Sequence, residues 1–167
     1  MFRAIADFEK AWSYETDATL KVLRALTDAS LTQAVGPEGR TLGRLAWHLV
    51  LTIPEMAGQA GLVVPGPPPD APPPAQAADI ATAYQATAAA LLAQLTSQWN
   101  DAGLLVEDEM YGERWARGYT VFALLVHQTH HRGQMTVLMR QAALPVPGVY
   151  GPAREEWASM GMQPPAV

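Results

Sequence analysis

The sequence predicts an all-α protein, a four-helix bundle with a short extra helix near its C-terminal end. Two observations carry this reading. Four long segments repeat apolar residues near a 3.6-residue period with polar residues between them, and almost nowhere does the chain alternate as a half-buried strand would. The segments are separated by Gly- and Pro-bearing connections of unequal length, which argues against a simple up-down repeat of equal hairpins.

The first helix is expected over 2–28, where Phe2, Ile5, Phe8, Trp12, Leu20, Leu23 and Leu26 mark one face. Gly36, Pro37 and Gly39 then make a turn. Thr41 is a suitable N-cap for a second helix over 42–60, whose apolar positions include Leu42, Leu45, Leu49 and Met56. Pro54 lies inside that helix; its ring removes a backbone donor and is expected to kink the helix or end it early. Gly58 and Gly61 close the element. Residues 65–74 read PGPPPDAPPP, seven prolines in ten positions, and cannot be helix or central strand. The inter-helix connector over 65–75 is therefore expected to be extended, polyproline-like and exposed, a linker rather than a docking ligand. An Ala-rich third helix follows over 77–100, with Ile80, Tyr84, Ala88, Leu91, Leu92, Leu95 and Trp99 along its apolar stripe. Residues 101–117 read as a long connection with a short extended piece at 104–106 and an acidic run, Glu107, Asp108 and Glu109, expected as a solvated loop. The fourth helix is expected over 119–143, stopped by Pro145 and Pro147. Pro152 suits the first turn of a last helix over 153–160.

Composition narrows the function classes. The chain has 167 residues, a length suited to one domain over 1–167. It has no cysteine, so it offers no disulfide, no Cys-ligated zinc and no thiol nucleophile of its own. Its 11 basic against 16 acidic residues give a net charge of −5, with no basic run, and no nucleic-acid partner is expected. No stretch approaches a membrane span, and the start, MFRAIADFEK, lacks the apolar core of a signal peptide, so the expected location is the cytoplasm.

Four histidines remain as candidate chemistry: His48 in the second helix and His127, His130 and His131 in the fourth. His127 and His131 are i and i+4, so their Cβ atoms lie ~6 Å apart on one face, the spacing by which one helix offers two imidazoles to one ion. Gln134 lies ~20° from His127 on the helical wheel, whereas His130 points ~100° away from His131. A third imidazole could come only from His48. Spacing alone leaves two readings open: a metal site, or a hydrogen-bonded core histidine beside a chance pair.

The run His127-Gln-Thr-His-His-Arg-Gly-Gln134, with Leu138, Arg140 and the upstream His48, resembles the hallmark of the DinB family. The ending Pro147-Gly-Val-Tyr-Gly-Pro152, then Glu155-Glu-Trp157, is similar to tails in many members. This is the helical-bundle family named after DNA-damage induction, not the polymerase of that name. The resemblance spans nearly the whole chain. It implies a DinB-like four-helix bundle with one divalent metal on His48, His127 and His131, His130 being the motif's non-ligand histidine. It also implies a low-molecular-weight thiol cosubstrate (bacillithiol, mycothiol or glutathione) for a metal-dependent S-transferase acting on small electrophiles. The alternatives on the same site are a metal-dependent hydrolase and a non-catalytic, stress-related metal-binding protein. Imidazole suits Zn, Ni, Fe and Cu alike; zinc is the first choice and nickel the second. Two features depart from the family pattern: Pro54, six residues after His48, and the proline content of the connector.

Around the histidines, Gln134 is a candidate to orient a water or a ring, against a plain packing role. Glu55, i+7 from His48, would share its face on an unbroken helix, against a solvated carboxylate. Arg132 could reach an anionic substrate, against an ion pair inside the bundle. Trp47 adjoins His48 and is expected to pack beside the site, while Trp12, Trp99, Trp115 and Trp157 are expected as core or interface anchors. The expected partner is a small-molecule substrate, with a homodimer through the Trp-bearing first and third helices as a further expectation.

Overall fold

The computed structural model describes residues 1–166. The first helix, α1, spans Ile5–Arg24, shorter at both ends than the apolar pattern suggested. Ala4 is extended, and Phe2 leaves the helix to donate its backbone N–H to Gly118 O at 3.0 Å. Gly118 has to be glycine here, because a Cβ would collide with the Phe2 carbonyl. At the other end Thr27 and Ser30 cap each other: Thr27 Oγ1 accepts from Ser30 N at 3.3 Å and Ser30 Oγ accepts from Thr27 N at 3.1 Å. That exchange opens a 3-10 turn, Asp28–Thr32, and takes the chain out of α1.

Helix α2, Leu42–Gln59, starts as expected, with Thr41 Oγ1 accepting from Arg44 N at 3.1 Å. It continues past Pro54 to Gln59, so the proline does not end it early. The turn before the ring is braced by side chains instead. Thr52 Oγ1 donates to His48 O and Gln128 Nε2 donates to Leu49 O, each at 3.0 Å. Gly66 of the connector lies against the Pro54 ring, where its missing Cβ would be 3.0 Å from Cγ. The connector is extended and mostly exposed, as its prolines require. Trp47 Nε1 donates to Ala71 O at 2.8 Å, so this indole holds the connector down rather than packing beside the histidines.

Helix α3 spans Ala77–Gln98, its first N–H donating to Asp28 Oδ1 at 2.8 Å. The following connection corrects the expected loop. A 3-10 turn occupies Ala102–Leu105, and a hairpin pairs β1, Glu107–Met110, with β2, Glu113–Ala116. Tyr111 and Gly112 form its two-residue turn, with φ of 54° and 83°, a backbone whose twist matches a tight hairpin. The acidic run is therefore strand, not free loop: Asp108 Oδ2 accepts from Arg117 Nε at 2.8 Å and Glu109 stands opposite Arg114.

Helix α4 spans Arg117–Gln141, starting two residues before the expected position. The expected last helix is instead two 3-10 turns, Arg154–Glu156 and Ala158–Met160. The Glu156 carboxylate accepts from the backbone N–H groups of Gly148 and Ala153, at 2.9 and 3.0 Å, and so caps the first of these turns and ties it to the chain after α4. Arg140 and Glu155 pair across from α4 to the first of these turns.

Around the bundle the order is α1, α3, α2, α4 and back to α1. Consecutive helices α1 and α2 are thus diagonal, as are α3 and α4, while α2 and α3 are neighbours joined by the proline-rich connector. Buried side chains from all four helices form one core. Trp12 Nε1 ties α1 to α3 through Ala88 O at 3.1 Å. No helix among the described residues is long and apolar enough to cross a membrane. The α2–α4 pairing is what brings His48 to the fourth helix.

Candidate metal centre

His48 projects from the middle of α2, six residues before the proline, and His127 and His131 project from successive turns of α4. Their outer ring nitrogens converge: His127 Nε2 lies 3.2 Å from His48 Nε2 and 3.1 Å from His131 Nε2. The donor atoms of all three lie within 4.8 Å of one another, and no other group of this kind occurs among the described residues. Two nitrogens bound to one tetrahedral zinc at ~2.05 Å would sit ~3.3 Å apart, so the trio needs only small adjustment to hold an ion.

The proton positions suit that role. Gln134 turns its Oε1 to His131 Nδ1 at 2.7 Å, so Nδ1 carries the proton and the Nε2 lone pair faces the other two rings. Burial, then the neighbouring imidazoles, hold His48 down to about 4 from 6.5. Burial, then the His131 and His130 charges, do the same to His127. His131 is also lowered, by burial first, with the Gln134 bond opposing the shift. Three neutral imidazoles therefore meet at neutral pH, with His131 turning its Nε2 lone pair to the other two rings. Beside them lies a cavity of about 400 Å³ between the start of α2, the loop before it and the outer half of α4; His131 and Gln134 are on its wall. That is within the range of small-molecule pockets.

His130 is exposed and stands outside the trio, as its direction on the helix predicts. Of the two readings of Arg132, the structure shows the ion pair inside the bundle: the residue lies on the opposite side of α4, buried, with its guanidinium 2.7 Å from Glu15 Oε2 and donating to Thr19 Oγ1 at 3.0 Å. It cannot meet a substrate there. Glu55 likewise takes its second reading, a solvated carboxylate: it is exposed and accepts from Tyr111 Oη at 3.0 Å and from Gln59 at 3.3 Å, tying α2 to the hairpin. A residue that spacing did not single out is Arg40, which lines the cavity from the loop before α2. Its only signal in the sequence is a cation just before an N-cap.

The DinB family model matches residues 1–165. The chain belongs to the DinB family. Across 167 residues, 100% of both chains, this DinB-family protein is 44% identical to the uncharacterized protein YrdA of Bacillus subtilis strain 168. It is similar to a DinB-like protein from Bacillus cereus ATCC 10987, whose crystal structure matches at a TM-score of 0.86 and 44% identity, over 90% of this chain and all of that one. The DinB-like protein YjoA of Bacillus subtilis matches at a TM-score of 0.64 and 12% identity, covering 83% of this chain and 96% of its own; that likeness shows the fold alone.

Proposed function

We propose that this DinB-family protein holds one divalent metal on His48, His127 and His131 and transfers a small thiol to an electrophile in the adjoining cavity. The observation that carries the reading is the convergence of three Nε2 atoms beside a cavity, with no fourth His, Asp or Glu joining them among the described residues. Structural zinc is closed by four protein ligands, whereas a three-ligand set keeps a position for an exogenous group. A bound ion, zinc by first choice and nickel by second, would supply Lewis-acid character and lower the pKa of a thiol or water brought to it.

The chain's own residues do the rest. Gln134 fixes the His131 tautomer, and burial keeps all three imidazoles neutral. The chain has no cysteine, so the sulfur nucleophile must arrive on a cosubstrate such as bacillithiol, mycothiol or glutathione. In the transfer an S–C bond forms, the electrophile's leaving group departs, and the thiol proton passes to solvent. The test is conjugation of monochlorobimane, which releases chloride, by zinc- or nickel-loaded protein with each thiol in turn. Metal-dependent conjugation with one of the three thiols supports the transferase. Metal-dependent turnover of esters or amides without thiol would support hydrolysis instead. Metal retained with no turnover in either screen would leave a metal-binding protein.

A further inference from the structure

The cavity beside His131 has a chemical character that the three histidines do not explain. Its body is apolar: Leu45 comes from the first turns of α2, and Val137 and Leu138 from α4. No carboxylate lines it, although the chain as a whole carries a net charge of −5. The one charged side chain on its wall is Arg40. Arg40 has no ion pair or side-chain hydrogen bond among the described residues, a state it shares with Arg3, Arg44 and Arg154, but it alone of these lines the cavity. Arg40 shares that wall with His131. A cation held near a divalent-metal site is unfavourable unless something negative comes between them.

We infer that the cavity binds a small amphipathic carboxylate, its apolar body against Leu45, Val137 and Leu138 and its carboxylate on the Arg40 guanidinium. The planar fork of arginine matches a carboxylate with two parallel hydrogen bonds, and an apolar wall adds the affinity that a half-exposed ion pair lacks. The substrate or cosubstrate of the metal centre is then an acid, oriented with its reactive end toward His131. This inference rests on the three-histidine reading for its meaning, but Arg40 and the apolar wall can be tested apart from it.

The probes are octanoate and octanamide, equal in shape and different in charge. Binding to zinc-loaded and to metal-free protein is measured by calorimetry, after zinc content has been determined separately. Octanoate is expected to bind about tenfold more tightly than octanamide, a preference retained without zinc. Arg40→Gln should abolish the preference by weakening octanoate about tenfold, while Arg40→Lys should keep part of it. Arg40 is exposed on a loop, so both variants should fold; far-ultraviolet circular dichroism checks this. Equal affinity for the two probes overturns the inference. So does a preference that survives Arg40→Gln but vanishes on zinc removal, because the carboxylate would then sit on the metal. Failure to bind zinc would sink the metal reading instead, a result seen before any probe is added.

Discussion

Replacing Arg132 by Met should destabilise the protein without emptying the metal centre. Arg132 and Glu15 are both almost fully buried, at 3% and 5% exposure, between α1 and α4. The guanidinium also donates to Glu15 O at 3.2 Å and to Thr19 Oγ1 at 3.0 Å. Its face packs on the Tyr150 ring, 5.5 Å from the centroid, and Tyr150 Oη donates to the Glu15 carboxylate from the C-terminal tail. Removing one partner of such a pair leaves a buried charge uncompensated, at a cost of about 3–5 kcal/mol. Thr129 and Tyr150 would still donate to Glu15, which places the loss near the lower end, about 3 kcal/mol. For a chain of this size that is a fall in Tm of roughly 6–12 °C. The Glu15→Met, Arg132→Met double variant should recover most of it, because two apolar side chains of similar length replace the pair. Calorimetric melting and bound zinc per folded chain are the readouts. A single variant as stable as the parent would refute the buried-pair argument, and one that keeps its stability and loses zinc would show that Arg132 serves the histidine site.

Gln134→Leu should weaken zinc binding about tenfold, since it frees the His131 tautomer, while Tm stays within ~1 °C because the residue is exposed; competition with a chromogenic chelator measures this, and unchanged affinity would contradict it. In the metal-free chain His48 and His127 are held down to about 4 from 6.5, so they are neutral in the fold and take up protons on unfolding. Stability is therefore complete above the unfolded value and is lost as pH falls from 6.5 through about 4. Urea midpoints across that window should drop, and the drop should shrink in His48→Ala, His127→Ala; a midpoint equally steep in that variant would refute the assignment. Gly118→Ala should cost about 1–3 kcal/mol, through displacement of the Phe2 carbonyl and loss of its neighbouring bond, as read by chemical denaturation; a neutral substitution would mean the N-terminal segment is not held there.

Local signals in the chain announce much of this structure. The periodic apolar positions of α2 and α4 place His48, His127 and His131 on buried faces, and Thr41 marks its helix start to the residue. The trio could be chosen from four histidines because helical direction alone removes His130. Other features depend on partners that spacing cannot show. Helix α2 runs on past Pro54, and the turn before it is tied by Thr52 and by Gln128, which comes from another helix. The hairpin escaped notice because its strands, EDEM and ERWA, carry charges where a half-buried strand would alternate, and it is closed by Tyr111-Gly112 rather than by Asn-Gly. Arg132 sits in the histidine motif yet faces Glu15, more than a hundred residues away, and its role was decided by α1. Arg40 lies in a segment with no periodicity at all, so only the folded loop shows that it lines the cavity.

The central claim is that one ion sits on the three converging imidazoles, and metal content measured across single alanine variants tests it most directly. Zinc is titrated into metal-free parent protein and into His48→Ala, His127→Ala, His131→Ala and His130→Ala, and bound metal per chain is determined by elemental analysis after desalting. The parent and His130→Ala should each retain one equivalent, since His130 is exposed and outside the cluster. Each of the other three should retain little, because two imidazoles hold zinc far less tightly than three. Equal loss in all four variants, or one equivalent kept without His48, would contradict the account.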